Sequence, residues 1–192
     1  DPANNGAAVS GSFAIGGRTY LFDSEGRRSW AGWTTLSGKP YYADADGALA
    51  VGWQAIGGAW YYFDAAEPGV YVTGLVTIEG KLYLFSQTGQ RAWAGWNSFG
   101  GKKYYCDING SPITGWQAIS NVWYYFDPAT SGAMVYDGVA TIGNVWYLFD
   151  ASGARAWAGW NTVSGQRYYC NANGMRVKGW QTLAGNLYYL ST

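Results

Sequence analysis

Histidine is absent from the 192 residues. With it go the usual general base, the Ser-His-Asp arrangement and the commonest metal ligand. Charge is sparse: 12 acidic and 12 basic residues give a net charge of zero, and no basic run stands out. The electrostatic footprint of a nucleic-acid binder or an anionic-membrane binder is therefore missing. No apolar run approaches the roughly 20 residues of a transmembrane helix, so no membrane insertion is expected. The first stretch, DPANNGAAVSG, lacks the charged and apolar regions of a signal peptide. Residues 1–10 read as a linker cut from a longer chain. Only two cysteines occur, Cys106 and Cys170. Neither has a His or a CxxC partner, so no metal site and no cofactor is expected.

What is abundant is aromatic and glycine-rich: 12 Trp, 17 Tyr and 29 Gly. The stretch GWQAIGGAWYYFD at 52–64 returns as GWQAISNVWYYFD at 115–127. Anchoring on the glycine of each GW-like dipeptide gives Gly11, Gly32, Gly52, Gly74, Gly95, Gly115, Gly138, Gly159 and Gly179. Nine repeats of 20–23 residues thus fill the chain, and their spacings recur in groups of three.

Within a repeat, a short apolar strand is followed at the fifth and sixth offsets by a turn pair such as Gly57-Gly58, Ser120-Asn121 or Ser164-Gly165. Such pairs suit two-residue hairpins, which need positive φ. Tyr occupies the ninth offset in every repeat: Tyr20, Tyr41, Tyr61, Tyr83, Tyr104, Tyr124, Tyr147, Tyr168 and Tyr188. Asp23, Asp44, Asp64, Asp107, Asp127 and Asp150 share one position at the end of the second strand, which marks them as Asx-turn formers before acids. A lone hairpin is marginal in water, so each must be buried by its neighbours. The prediction is an all-β fold over residues 11–192: one elongated β-solenoid of stacked hairpins with negligible helix.

The pattern G-W-x-x-[IL]-x-G-x-x-Y-Y-F-D-x-x-G resembles the cell-wall-binding repeats of choline-binding modules, of glucan-binding domains in glucansucrases, and of the repetitive oligopeptide domains of large clostridial toxins. The resemblance covers the chain beyond the linker. It implies three hairpins per superhelical turn, which the triplet spacing supports on its own. It also implies a secreted, non-catalytic module at a bacterial cell surface, with any enzyme elsewhere in the parent protein. The implied partners are a cell-wall polymer, whether choline-bearing teichoic acid or glucan, or a host glycan. A structural spacer without ligand is the bland alternative, since aromatics also serve as packing between hairpins.

The three phases of the triplet differ. Repeats at Gly52 and Gly115 carry a second Trp (Trp60, Trp123), and the one at Gly179 has Leu187 there. Repeats at Gly32, Gly95 and Gly159 have Pro40, Lys103 and Arg167 at that position. Repeats at Gly11, Gly74 and Gly138 lack the GW tryptophan but are followed by Trp30, Trp93 or Trp157 in R-x-W-A-G-W. Carried over from the choline-binding relatives, an aromatic cage implies two ligand sites: Trp53, Trp60 and Tyr83, and Trp116, Trp123 and Tyr147. For a glycan, Gln54, Gln117, Gln181, Asn97 and Asn161 are expected to bond hydroxyls. Three hairpins of two strands separate the cysteines, about 30 Å at about 4.8 Å per strand, so two free buried thiols in place of Phe are expected.

Overall fold

The computed structural model describes residues 7–191; residues 1–6 of the expected linker lie outside the described residues. It contains nine antiparallel hairpins and no α-helix among the described residues; a single 3-10 turn spans Pro128–Thr130. The chain divides into two compact units, one ending at Ala92 and the next starting at Trp93. In the first unit, Gly11–Ile15 pairs with Arg18–Phe22, Gly32–Leu36 with Lys39–Ala43, Gly52–Ile56 with Ala59–Phe63, and Gly74–Ile78 with Lys81–Phe85. In the second, Gly95–Phe99 pairs with Lys102–Cys106, Gly115–Ile119 with Val122–Asp127, and Gly138–Ile142 with Val145–Phe149. Gly159–Val163 with Gln166–Cys170 and Gly179–Leu183 with Asn186–Leu190 complete it. Ala133–Met134 adds a short third strand beside Val122–Asp127.

Every hairpin turns through the residue pair expected from sequence, with both residues at positive φ. Glycines take this conformation cheaply, yet Glu79 (φ 50°) and Ala184 (φ 48°) are held there as well. A two-residue turn of this hand matches the twist of the flanking strands, and that match outweighs the preference of an L-residue for negative φ.

The segment leaving most hairpins is shaped by an Asx residue, and after the fourth hairpin the Ser86 hydroxyl takes that role, accepting from the Thr88 and Gln90 amides. Asp150 Oδ1 accepts from the Ser152 and Ala154 amides at 2.8 and 3.0 Å, and Asp107 and Asn171 repeat the pattern. The loop then folds back and joins the preceding hairpin. The amides of Leu49, Arg91, Arg155 and Arg176 donate to the carbonyls of Thr19, Trp60, Trp123 and Trp146. Successive loops also stack closely. At Gly174 (φ +71°) a Cβ would sit 2.7 Å from the Ala156 carbonyl oxygen, so both the conformation and the approach require glycine.

The core runs along the inner face of the second strands. Phe63, Phe85, Phe126 and Phe149 are completely buried, and Cys106 and Cys170 take the equivalent position as free, buried thiols. Ala43 stands there in the earliest triplet. A small residue suffices because a leucine from the previous hairpin fills the space: Leu21 packs with Ala43, and Leu148 with Cys170.

Candidate functional site

Both expected aromatic triads assemble, and with matching geometry. Trp53 meets Trp60 edge-on at 6.3 Å between centroids and Tyr83 of the next hairpin at 5.0 Å. Trp116 meets Trp123 at 6.4 Å and Tyr147 at 4.8 Å. The cross-strand register sets the inner tryptophan opposite Tyr62 or Tyr125, while the outer tryptophan lies two residues earlier on the partner strand, opposite Ala55 or Ala118, and so on the same face. Trp60 and Trp123 remain 43% and 40% exposed, so each triad has one wall open to solvent. Its floor is firm, because Trp53 stacks on buried Phe85 and Trp116 on buried Phe149.

The same junction forms where the second tryptophan is absent. Trp33, Trp96 and Trp160 meet Tyr61, Tyr124 and Tyr188 of the following hairpin at 5.4, 5.0 and 5.1 Å. The tyrosine present in every repeat was the signal for this, since each GW tryptophan then has an aromatic neighbour waiting. Two of these junctions border clefts. One of about 420 Å³ is lined by Trp33, Thr35, Pro40, Tyr61 and Tyr71, and one of about 380 Å³ by Trp96, Asn97, Lys103 and Tyr124. The third is covered from within, where the Arg167 guanidinium carbon lies 4.2 Å from the Trp160 ring centroid. A side-chain cation thus occupies the face that an external cation would need.

The amide side chains are less available than the sequence suggests. Asn97 Nδ2 donates to the carbonyls of Trp93 and Gly95 at 2.8 and 2.9 Å, and Asn161 does the same to Trp157 and Gly159. Both N–H groups are used, and only the carbonyl oxygen is left for a hydroxyl. Gln54, Gln117 and Gln181 each donate to a backbone carbonyl three residues back at 3.3–3.4 Å. These bonds lock the start of each hairpin and are invisible in a residue pattern. The tryptophans of the R-x-W-A-G-W segments project strongly: Trp30, Trp93 and Trp157 are 79%, 61% and 60% exposed.

A solvent-facing series of aromatic junctions, fixed in hairpins that repeat along the chain, defines a repeat-built module of the cell-wall-binding class. The chain belongs to the choline-binding repeat family. The sequence model of that repeat matches residues 30–67, 93–137 and 157–192, and that of a putative cell wall binding repeat matches 140–154. Glucosyltransferase-S of Streptococcus mutans is 30% identical over 176 residues, covering 88% of this chain and 12% of that protein. The chain thus spans about an eighth of the curated relatives it matches. Choline binding protein F from Streptococcus pneumoniae is 35% identical, over 91% of this chain and 59% of that one, with a TM-score of 0.62. The choline-binding domain of CbpL from the same species is 25% identical, over 96% and 94% of the two chains, with a TM-score of 0.61.

Proposed function

We propose that this chain is a non-catalytic module that attaches a secreted bacterial protein to a cell-wall polymer or glycan, with ligand held at the aromatic junctions between hairpins. Trp53/Trp60/Tyr83 and Trp116/Trp123/Tyr147 are the principal sites. The carrying observation is the repetition of one triad geometry at two places with an exposed outer indole at each. Nothing in packing alone calls for a tryptophan left open to solvent at the same register, because Leu187 occupies that register in the last hairpin. Within each unit the hairpins stack as a solenoid with three to a turn, a reading supported by the triplet spacing and by ring contacts that join five of the hairpins to their successors.

A sugar face stacks on an open indole, whereas a quaternary ammonium needs rings on several sides. Choline is the second reading, favoured by the three rings that converge at each triad and by the family to which the chain belongs. Replacing Trp60 and Trp123 together by Ala is expected to abolish most binding of α-glucan or choline, measured by titration calorimetry, with circular dichroism unchanged. Replacing Trp30 and Trp157 together is expected to matter less. Loss of binding in the second variant with full affinity in the first would move the site to the R-x-W-A-G-W tryptophans. Retention in both, or no binding of either ligand by the parent chain, would favour the spacer.

A further inference from the structure

The chain's zero net charge conceals an uneven distribution. From residue 151 onward there are four basic residues, Arg155, Arg167, Arg176 and Lys178, and no acidic one. Two of them converge on a single indole. Lys178 Nζ lies 4.6 Å and the Arg176 guanidinium carbon 4.8 Å from the Trp146 ring centroid. Two positive centres are therefore held less than about 10 Å apart, within one Debye length at 0.1 M salt, where they repel. Neither enters any of the ion pairs among the described residues.

Beside them opens a cleft of about 380 Å³ lined by Asn144, Trp146, Asn171, Met175, Arg176 and Lys178. Its polar lining is rich in donors. Asn171 Oδ1 is already taken by the amides of Asn173 and Met175, which leaves its Nδ2 hydrogens to donate. Lys178 and Arg176 have donors only, and one guanidinium nitrogen is anchored on the Ser191 carbonyl at 2.8 Å. With two cations over the ring, Trp146 is poorly placed to stack a sugar or a base.

The geometry points to a second binding site, separate from the aromatic junctions, in which Arg176, Lys178 and Asn171 take an oxyanion, a phosphate or carboxylate group carried on a polyhydroxylated polymer. An oxyanion supplies acceptors only, which matches the donors around the cleft, and its charge relieves the repulsion between the two cations. Nucleic acid is the less suitable polyanion, because the indole face that would stack a base is occupied.

The test is calorimetric titration of the folded chain with poly(glycerol phosphate), polygalacturonate, neutral dextran and a single-stranded oligonucleotide, with the Trp146 indole N–H resonance as a local reporter. At about 20 mM salt at least one of the first two polymers is expected to bind and shift that resonance, and binding is expected to vanish by about 0.5 M salt. The tighter of the two identifies the anion as phosphate or carboxylate. Lys178→Gln is expected to weaken binding about tenfold, and Arg176→Gln with Lys178→Gln about a hundredfold, as expected for charge-assisted hydrogen bonds. Lys102→Gln, which removes an exposed charge elsewhere in the same unit, is expected to change it less than about twofold. The assignment is overturned if neither polyanion binds, if the double variant binds like the parent, or if affinity is independent of salt. Tighter binding of the oligonucleotide would overturn it too. Because dextran and choline titrations report on the tryptophan triads, failure here leaves the junction reading standing, and the reverse also holds.

Discussion

Burial of the two thiols makes a quantitative prediction. Cys106 is 1% exposed and Cys170 is fully buried. Burial, reinforced by the Asp107 carboxylate, pushes the Cys106 thiol from 9.0 up to about 12, and a contact with Asn97 offsets only part of this. Burial raises Cys170 as well, against the opposing pull of Arg155 and Arg176. At pH 8 an unperturbed thiol of this kind is about one-tenth thiolate, whereas a thiol at about 12 is about one ten-thousandth thiolate. Protonation alone therefore slows alkylation of Cys106 by roughly a thousandfold, before the inaccessibility of the sulfur is considered. Iodoacetamide labelling followed by mass spectrometry is expected to leave both residues unmodified in the native chain and to label both in denaturant. No disulfide between them is expected under mild oxidation.

The same shift couples folding to alkaline pH. Below about pH 9 the thiol is protonated in both folded and unfolded chains, and the stabilising effect of its burial is fully present. Between about 9 and about 12 only the unfolded chain releases the proton, so stability falls by up to about 1.4 kcal/mol per pH unit through this group. Other groups titrate in that range, so the comparison needed is with Cys106→Ala, a residue already accommodated at the equivalent Ala43. The difference in denaturation midpoint between the two proteins is expected to shift in favour of the variant as pH rises from 9 to 11. A constant difference, or native labelling within about tenfold of a free peptide thiol, would refute the burial argument.

Two further substitutions probe how the hairpins are held. Gly165→Ala and Gly174→Ala both impose positive φ on alanine, at about 1–2 kcal/mol each. Only the second brings a Cβ to 2.7 Å from a neighbouring loop's carbonyl oxygen. Thermal or urea denaturation is expected to show a loss at Gly174 larger by at least about 1 kcal/mol, and equal losses would mean that the loops do not stack closely. Asp150→Ala removes the acceptor for two loop amides and the Ser152 hydroxyl, and is expected to cost about 1 kcal/mol, with faster hydrogen exchange at Ser152 and Ala154. Unchanged exchange at those amides would contradict the role given to the Asx turn.

The local architecture was legible in the residues because its causes are local. A turn pair such as Ser164-Gly165 recurs at fixed distance from a glycine anchor, and the chain reverses there through two residues at positive φ. Asp23, Asp44, Asp107 and Asp150 at the strand ends satisfy loop amides two and four residues on, an interaction that depends on sequence separation alone. The aromatic triads were reachable as well, through a family resemblance combined with the phase of each repeat. Asn97 and Asn161 look free in the sequence but turn their amides onto backbone carbonyls two and four residues back, a local bond that the residue pattern does not announce. Other features depended on how one hairpin lies against the next. Trp53 meets Tyr83, and Trp116 meets Tyr147, only where the following hairpin is laid against the preceding one. Arg176 and Lys178 follow the eighth hairpin, whereas Trp146 belongs to the seventh, and they meet because the Arg176 amide hydrogen-bonds to the Trp146 carbonyl. Sequence periodicity determined the hairpins, their turns and their core positions through short-range backbone preferences. Only the stacking of successive hairpins decided which side chains share a surface, because those contacts join residues about 30 positions apart, whose proximity no local preference encodes.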